Sequence, residues 1–239
     1  MLSFRLGSIP IRVHLSFWLT AAFLGVNEHD PIALLTWIPT VFVSVLLHEL
    51  GHALVGKTFG LEPSVELYAF GGATSWQQGN GLSSGKRILI SLAGPLTGIA
   101  VTGILVALCP LLGLHAELDG LRFILYRHAT VAPALVAFVS SMLYVNWIWS
   151  LFNLLPILPL DGGNVMAHTL AAVTEGGGRQ AAHVISIVMA VLTGAYLFFS
   201  GLGGALAAIW MGLFAFQNLR ALRPAPRAPS PPPPARQRW

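Results

Sequence analysis

Residues 180–219 run for 40 positions without a Lys, Arg, Asp or Glu. As one helix this stretch would be about 60 Å long, twice the roughly 30 Å of a bilayer's hydrocarbon core, and Gly201-Leu202-Gly203-Gly204 near its middle offers a turn. Two membrane spans, near 180–199 and 204–219, are the expectation. A soluble domain carries roughly 25% charged residues. Over its 239 residues this chain has 9%, with 55% apolar. Charge is depleted more than apolar content is raised, which restricts the fold to a membrane protein.

Four further spans are expected near 13–28, 31–57, 88–114 and 132–160. The first is short and is read as a retained span, since Gly25-Val26-Asn27 before Glu28 makes a poor signal-peptide cleavage site. The third carries Gly94, Gly98 and Gly103, which suit close helix packing. Between the second and third, Ser64 to Phe70 alternates loosely before Gly71-Gly72, the pattern of a short strand or hairpin. The expected fold class is therefore an all-α polytopic membrane protein with about six transmembrane helices and a short membrane-associated β-hairpin or sheet. Residues 1–223 form this domain. Residues 224–239, with seven prolines in sixteen positions, read as a disordered Pro/Arg-rich cytoplasmic tail.

The basic residues orient these spans. With six spans and both ends cytoplasmic, eleven of the thirteen Lys and Arg lie inside, and only Arg122 and Arg127 lie outside, the bias expected of the positive-inside rule. The formal charge of +4 does not point to nucleic acid, because the bases sit between apolar blocks rather than in a stripe. With Cys109 as the only cysteine, no intrachain disulfide and no all-cysteine metal site can form.

Within the second expected span lies His48-Glu49-Leu50-Gly51-His52. Histidines four apart on a helix share one face and can share one metal, and the intervening glutamate can serve as base to a metal-bound water. Glu49 precedes Lys57 by eight residues, about 12 Å along a helix. The site is therefore expected partway into the bilayer, accessible from the cytoplasmic side. Catalytic zinc commonly takes three protein ligands, and Asp161 is the strongest candidate for the third. It lies at the cytoplasmic end of the fourth span in Asn153-Leu154-Leu155-Pro156-Ile157-Leu158-Pro159-Leu160-Asp161-Gly162-Gly163. Pro156 and Pro159 break the helix, and Gly162 and Gly163 permit unusual backbone angles, so that Asp161 can bend back toward the histidines.

These two blocks, about 110 residues apart, resemble the site-2 protease family of intramembrane zinc metalloproteases (peptidase family M50). Phe70-Gly71-Gly72-Ala73-Thr74 and Ser91-Leu92-Ala93-Gly94-Pro95-Leu96 extend the resemblance to roughly residues 1–220. It implies His48, His52 and Asp161 as ligands of one Zn2+ per chain, Glu49 as catalytic base, and Asn153 as a catalytic residue near the active site and substrate. It implies hydrolysis of peptide bonds in or near transmembrane segments of membrane-anchored proteins, in regulated proteolysis or signal-peptide remnant clearance. The expected partners are a transmembrane-helix protein or peptide substrate and the lipid bilayer, with no nucleic acid; oligomeric state is left open. A bacterial inner membrane is the expected location. Relatives that carry PDZ or CBS modules differ from this sequence, which reads as a minimal form.

Each assignment has a structural alternative. His48, Glu49 and His52 could be a polar packing cluster, Asp161 a helix cap, and Asn153 a hydrogen bond between helices. Asn146 reads as structural glue, Trp147 and Trp149 as packing or lipid-facing residues, and the remaining histidines as structural. At the level of the whole chain the alternatives are an inert membrane scaffold and a metal transporter. A transporter would need ligands on both sides, where the outer side offers only Glu28, His29, Asp30, His115, Glu117 and Asp119.

Overall fold

The computed structural model of the chain describes residues 1–25, 31–69, 71–76, 81–200 and 204–223, with 31–34 and 204–206 described as backbone only. The chain opens with an antiparallel pair, β1 (Leu2–Leu6) and β2 (Ile9–Val13), followed by α1 (Leu15–Gly25) and α2 (Pro31–Thr58). A second hairpin, β3 (Pro63–Tyr68) and β4 (Gly71–Trp76), leads to α3 (Ser84–Leu108). A 3-10 turn over Cys109–Leu112 then enters a third hairpin, β5 (Leu114–Asp119) and β6 (Arg122–Arg127). The rest is helical: α4 (Pro133–Asn153), α5 (Asp161–Val173), α6 (Gly178–Phe199) and α7 (Gly204–Ala221).

Among the described residues, α2, α3, α4 and α6 are long and apolar enough to cross a bilayer. The outer face of α6 shows why they suit lipid: Val184, Val188, Leu192 and Phe199 are all at least half exposed. In water such a face would be a large aggregation-prone patch.

The expected six spans are supported in part. At 11 residues, α1 is only about 16 Å long and falls short of a full crossing. Val13, expected inside the first span, belongs to β2 instead, and residues 26–28 lie outside the described residues. The third span runs to Leu112, close to the expected 114: the α-helix ends at Leu108, the 3-10 turn continues the apolar stretch, and Gly113, at φ 70°, directs Leu114 into β5. The fourth stops at Asn153, where Pro156 and Pro159 cannot supply helix donors. The chain resumes as α5, a 13-residue helix that the sequence reading did not anticipate. Helix α7 begins at Gly204, as expected, while the turn at 201–203 and the tail at 224–239 lie outside the described residues.

Four strands form one sheet in the order β1-β2-β3-β4. β2 and β3 run parallel, with Ile11 opposite Val65 and Val13 opposite Leu67. Parallel strands need a long crossover, supplied here by α1 and α2. The inner face alternates as a half-buried sheet should: Ile9, Ile11, Val13, Val65 and Leu67 pack against Phe17, Val41, Val45 and Ala53. Burying each large aliphatic side chain contributes about 1.5–3 kcal/mol, which fastens the sheet to α2 beside the histidines. The expected hairpin at 64–76 is thus β3 and β4, with Phe70 outside the described residues. β4 lies at the sheet edge.

Candidate metal centre

Helical spacing places His48 and His52 on one face of α2, with Glu49 beside them, and all three are buried. His48 Nε2 and His52 Nε2 are 3.2 Å apart. Asp161, the first residue of α5, reaches the same point: its Oδ2 is 3.1 Å from His48 Nε2 and 3.3 Å from His52 Nε2. The structure therefore brings together the three residues expected as ligands, from segments more than 100 positions apart in sequence.

The chemistry of this triangle can be tested without a metal. His52 Nδ1 lies 2.6 Å from the Ile90 carbonyl oxygen, so in the neutral ring Nδ1–H donates and Nε2 carries a lone pair. That lone pair faces a second imidazole nitrogen and a carboxylate oxygen. One shared proton can match two of the three atoms and leaves the third opposed, whereas a cation satisfies all three. Tetrahedral zinc with ligands at 2.0–2.2 Å holds them about 3.3–3.5 Å from one another, close to the observed edges of 3.1, 3.2 and 3.3 Å. The donor set fits zinc. The Ile90 contact is also the second hydrogen bond that commonly orients a zinc-binding histidine, while His48 Nδ1 is buried without a hydrogen-bond partner.

Glu49 also offers an oxygen within 4.8 Å of both histidines. Its carboxylate is otherwise engaged, however, with the Thr74 hydroxyl 2.8 Å from Oε2. Asp161 makes the closer approach to both rings, and Glu49 lies beside the triangle.

Two close approaches enclose the centre. A β-carbon on Gly94 of α3 would overlap His52 and come within 2.7 Å of His48 Nε2. On β4, a β-carbon on Gly72 would meet the Glu49 side chain, with Oε1 at 2.6 Å. Only glycine lets these two backbones lie against the imidazoles and the carboxylate. Gly162 and Gly163 have a different role from the one expected. Neither has positive φ; both sit in the first turn of α5, where a β-carbon would strike the backbone of Leu154 or Ile157.

A cavity of about 410 Å3 opens onto His48, Glu49, His52 and Asp161. Asn153 is in its wall, and its amide donates to the Trp149 carbonyl of its own helix at 2.9 Å. The same wall includes Tyr68, Thr74, Arg87, Trp149 and His168, which sequence reasoning did not select as site residues. Thr74 had a signal, since it stands in one of the segments that carried the family resemblance. Trp149, expected in packing or lipid contact, stacks on Phe152 and separates this cavity from an apolar one of about 270 Å3. Trp147 does pack, edge-on against Phe123.

Of the outer residues that a transporter would need, Glu28, His29 and Asp30 lie outside the described residues. His115, Glu117 and Asp119 sit along β5. Among the described residues they form no group able to hold a metal.

The model of peptidase family M50 matches residues 36–197. The provisionally named zinc metalloprotease Rip3 of Mycobacterium tuberculosis is 33% identical over 227 residues, covering 89% of this chain and 54% of its own. A zinc metalloprotease of Methanocaldococcus jannaschii is 25% identical over 171 residues, covering 70% of this chain and 44% of its own. The chain thus spans about half the length of these relatives. The solved site-2 protease from Methanocaldococcus jannaschii shares the fold, with a TM-score of 0.59 at 22% identity over 95% of this chain and 98% of that one. Its apolar helices and this kinship make the protein an integral membrane protein. The chain belongs to peptidase family M50, the site-2 protease family whose members are named zinc metalloproteases.

Proposed function

We propose that this chain is an intramembrane zinc metalloprotease that hydrolyses peptide bonds in or near transmembrane segments of membrane-anchored proteins. The convergence of His48 Nε2, His52 Nε2 and Asp161 Oδ2 within 3.1–3.3 Å of one another, with Glu49 alongside and oriented by Thr74, carries this reading. These three residues would hold one zinc per chain. When bound, zinc supplies a Lewis acid that makes water easier to deprotonate and a carbonyl easier to attack.

The chain's own groups do the rest. Glu49 takes the proton from the attacking water and returns it to the leaving amide nitrogen. Thr74 fixes the carboxylate orientation from β4. Asn153, in the cavity wall beside Asp161, hydrogen-bonds the substrate backbone near the scissile bond. A helical substrate must unwind before its peptide bonds are accessible, and β4 offers a way to hold the unwound segment. It is an edge strand, and Gly72, Ala73, Thr74 and Trp76 line the cavity, so substrate can add there as a further strand. We place the chain in a bacterial inner membrane, where the distribution of Lys and Arg favours access from the cytoplasmic side.

The test uses purified Glu49→Gln in lipid nanodiscs with a transmembrane substrate. Zinc content should match the wild type while cleavage falls by about 10²–10⁴-fold, the usual contribution of a general base. Cleavage at the wild-type rate by zinc-loaded Glu49→Gln rejects the proposal.

A further inference from the structure

Asp161 follows a seven-residue non-helical connection, 154–160, between α4 and α5. Side chains from two other helices grip the middle of it. The Leu158 N–H donates to Ser186 Oγ of α6 at 2.9 Å, and the Leu158 carbonyl accepts from Asn218 Nδ2 of α7 at 2.7 Å. Leu158 is three residues before Asp161. Both backbone polar groups of one residue are thus taken by side chains from outside the connection.

Both gripping side chains are themselves fixed. The Ser186 hydroxyl donates to the Ala182 carbonyl at 2.7 Å, and Asn218 Nδ2 also donates to the Phe214 carbonyl at 2.8 Å. Asn218 Oδ1 lies 2.8 Å from His183 Nδ1, which sets the orientation of the amide. Ser186 and Asn218 are buried, and next to them Ile157 packs with Ala190 of α6 and Met211 of α7. Polar side chains are costly among apolar helices unless each is matched, and these are matched onto the segment that presents Asp161.

We infer that Ser186 and Asn218, with His183 orienting the amide, are positioning residues that clamp Leu158 and thereby hold Asp161 against the histidine pair. This rests on the reading of Asp161 as a metal ligand. The other hydrogen bonds of the connection are local, among them Ile157 N–H to the Leu155 carbonyl at 2.7 Å, Leu160 N–H to the Ile157 carbonyl at 2.8 Å and the Asn164 amide to the Pro159 carbonyl at 3.1 Å, so the bonds at Leu158 are the ones that tie it to α6 and α7. Through the clamp, α6 and α7 determine the third ligand of a centre whose histidines are on α2.

Zinc competition against a chromogenic chelator tests the clamp, with the full chain in nanodiscs and proteolysis measured in parallel. Asn218→Ala and Ser186→Ala should each weaken zinc binding by about 10–100-fold, the usual effect of removing a residue that orients a ligand, and Ser186→Thr should restore it. Turnover should fall with KM within about twofold. Ser186→Ala removes a single oxygen and carries the test if Asn218→Ala does not fold. Gly194→Ala is the packing control, because its new β-carbon would press on Met211 Cβ at 2.9 Å, in the cluster that holds Ile157, while both side chains that bond Leu158 are kept. It should lower the thermal midpoint and leave zinc affinity unchanged.

If the clamp variants bind zinc as Gly194→Ala does, while Asp161→Ala loses it, the clamp is wrong and the metal centre stands. If Asp161→Ala itself binds zinc like the wild type, the ligand assignment fails and the clamp fails with it.

Discussion

The Thr74 hydroxyl stands 2.8 Å from Glu49 Oε2 and 3.0 Å from the Glu49 backbone carbonyl, so one side chain of an edge strand touches both ends of the residue assigned as base. The hydroxyl has a single proton to give. When it is donated to the carboxylate, it restricts Glu49 to one orientation beside the histidines, and the sheet becomes part of the reaction geometry.

Removing that hydroxyl should therefore impair turnover more than metal binding. Thr74→Val keeps the β-branched shape that suits a strand and loses only the hydrogen bond. Misplacing a catalytic group by about 1 Å can cost ~10²-fold in rate, and a fall of about 10- to 100-fold in kcat is expected, with zinc content unchanged. Thr74→Ser should retain most activity. Steady-state cleavage beside metal analysis checks both, and a Thr74→Val enzyme as fast as the wild type would remove Thr74 from the mechanism.

Gly94 makes a sharper structural prediction. An added β-carbon there meets the ring nitrogens of both histidines, while one at Gly103, on the same helix, has nothing within 4 Å. Gly94→Ala must push α2 from α3 or turn the imidazoles aside, and zinc affinity should drop at least about tenfold. Gly103→Ala should leave affinity unchanged and can raise stability by about 0.5–1 kcal/mol, as glycine-to-alanine changes within helices do. Calorimetric zinc titration of the pair separates helix propensity from contact at the site.

The histidine pair was legible because it is local in sequence, and Asp161, more than 100 positions away, was legible for a different reason. His48 and His52 are one helical turn apart, and Asp161 lies in a segment whose prolines show that regular structure stops. The interior of the long helices was equally legible, since their uncharged runs are longer than anything water tolerates. The surroundings were not. Residues 2–13 alternate in Leu2-Ser3-Phe4-Arg5-Leu6 and Ile9-Pro10-Ile11-Arg12-Val13, but the period was hidden beside an apolar run that drew Val13 into a span. α5 was missed because its 13 residues follow two prolines and start with Gly162-Gly163, a poor helix opening by propensity. Ser186, Asn218 and the Ile90 carbonyl carry no motif; their significance arises only where separate helices meet.

Asn146 tests the difference between gluing helices and filling space. Its amide donates to Ser44 Oγ of α2 at 2.9 Å and to the Met142 carbonyl at 2.8 Å, which supports the structural role read from the sequence. Its own Oδ1 is buried without a hydrogen-bond partner, and that offsets part of the gain. Interhelical hydrogen bonds in membranes average about 0.6 kcal/mol and reach about 1.7. Asn146→Leu, branched at the same carbon, somewhat larger and without a polar atom, should change unfolding free energy by less than about 2 kcal/mol. Asn146→Ala, which adds a void, should cost more. Denaturant unfolding in mixed micelles ranks the two; because both variants lose the hydrogen bonds, a larger loss for leucine would show that the site cannot take the added volume.

His168 supplies the pH test. It lies on α5 in the cavity wall, where partial burial first, then the charges of Arg87 on α3 and Arg179 on α6, push its pKa below the ordinary 6.5. The folded protein therefore binds fewer protons at this site than the unfolded chain in the window between the lowered value and 6.5. Stability must rise with pH across that window and level off above it. At neutral pH the ring is uncharged and leaves Arg87 and Arg179 as the fixed charges nearby. Arg87→Ala removes one of the two repulsions, so the His168 titration should move up toward 6.5 and the pH slope of stability below neutrality should flatten. Histidine NMR in detergent follows the titration, with His168→Gln identifying the signal. An unmoved pKa in Arg87→Ala would leave burial and Arg179 as the causes of the shift.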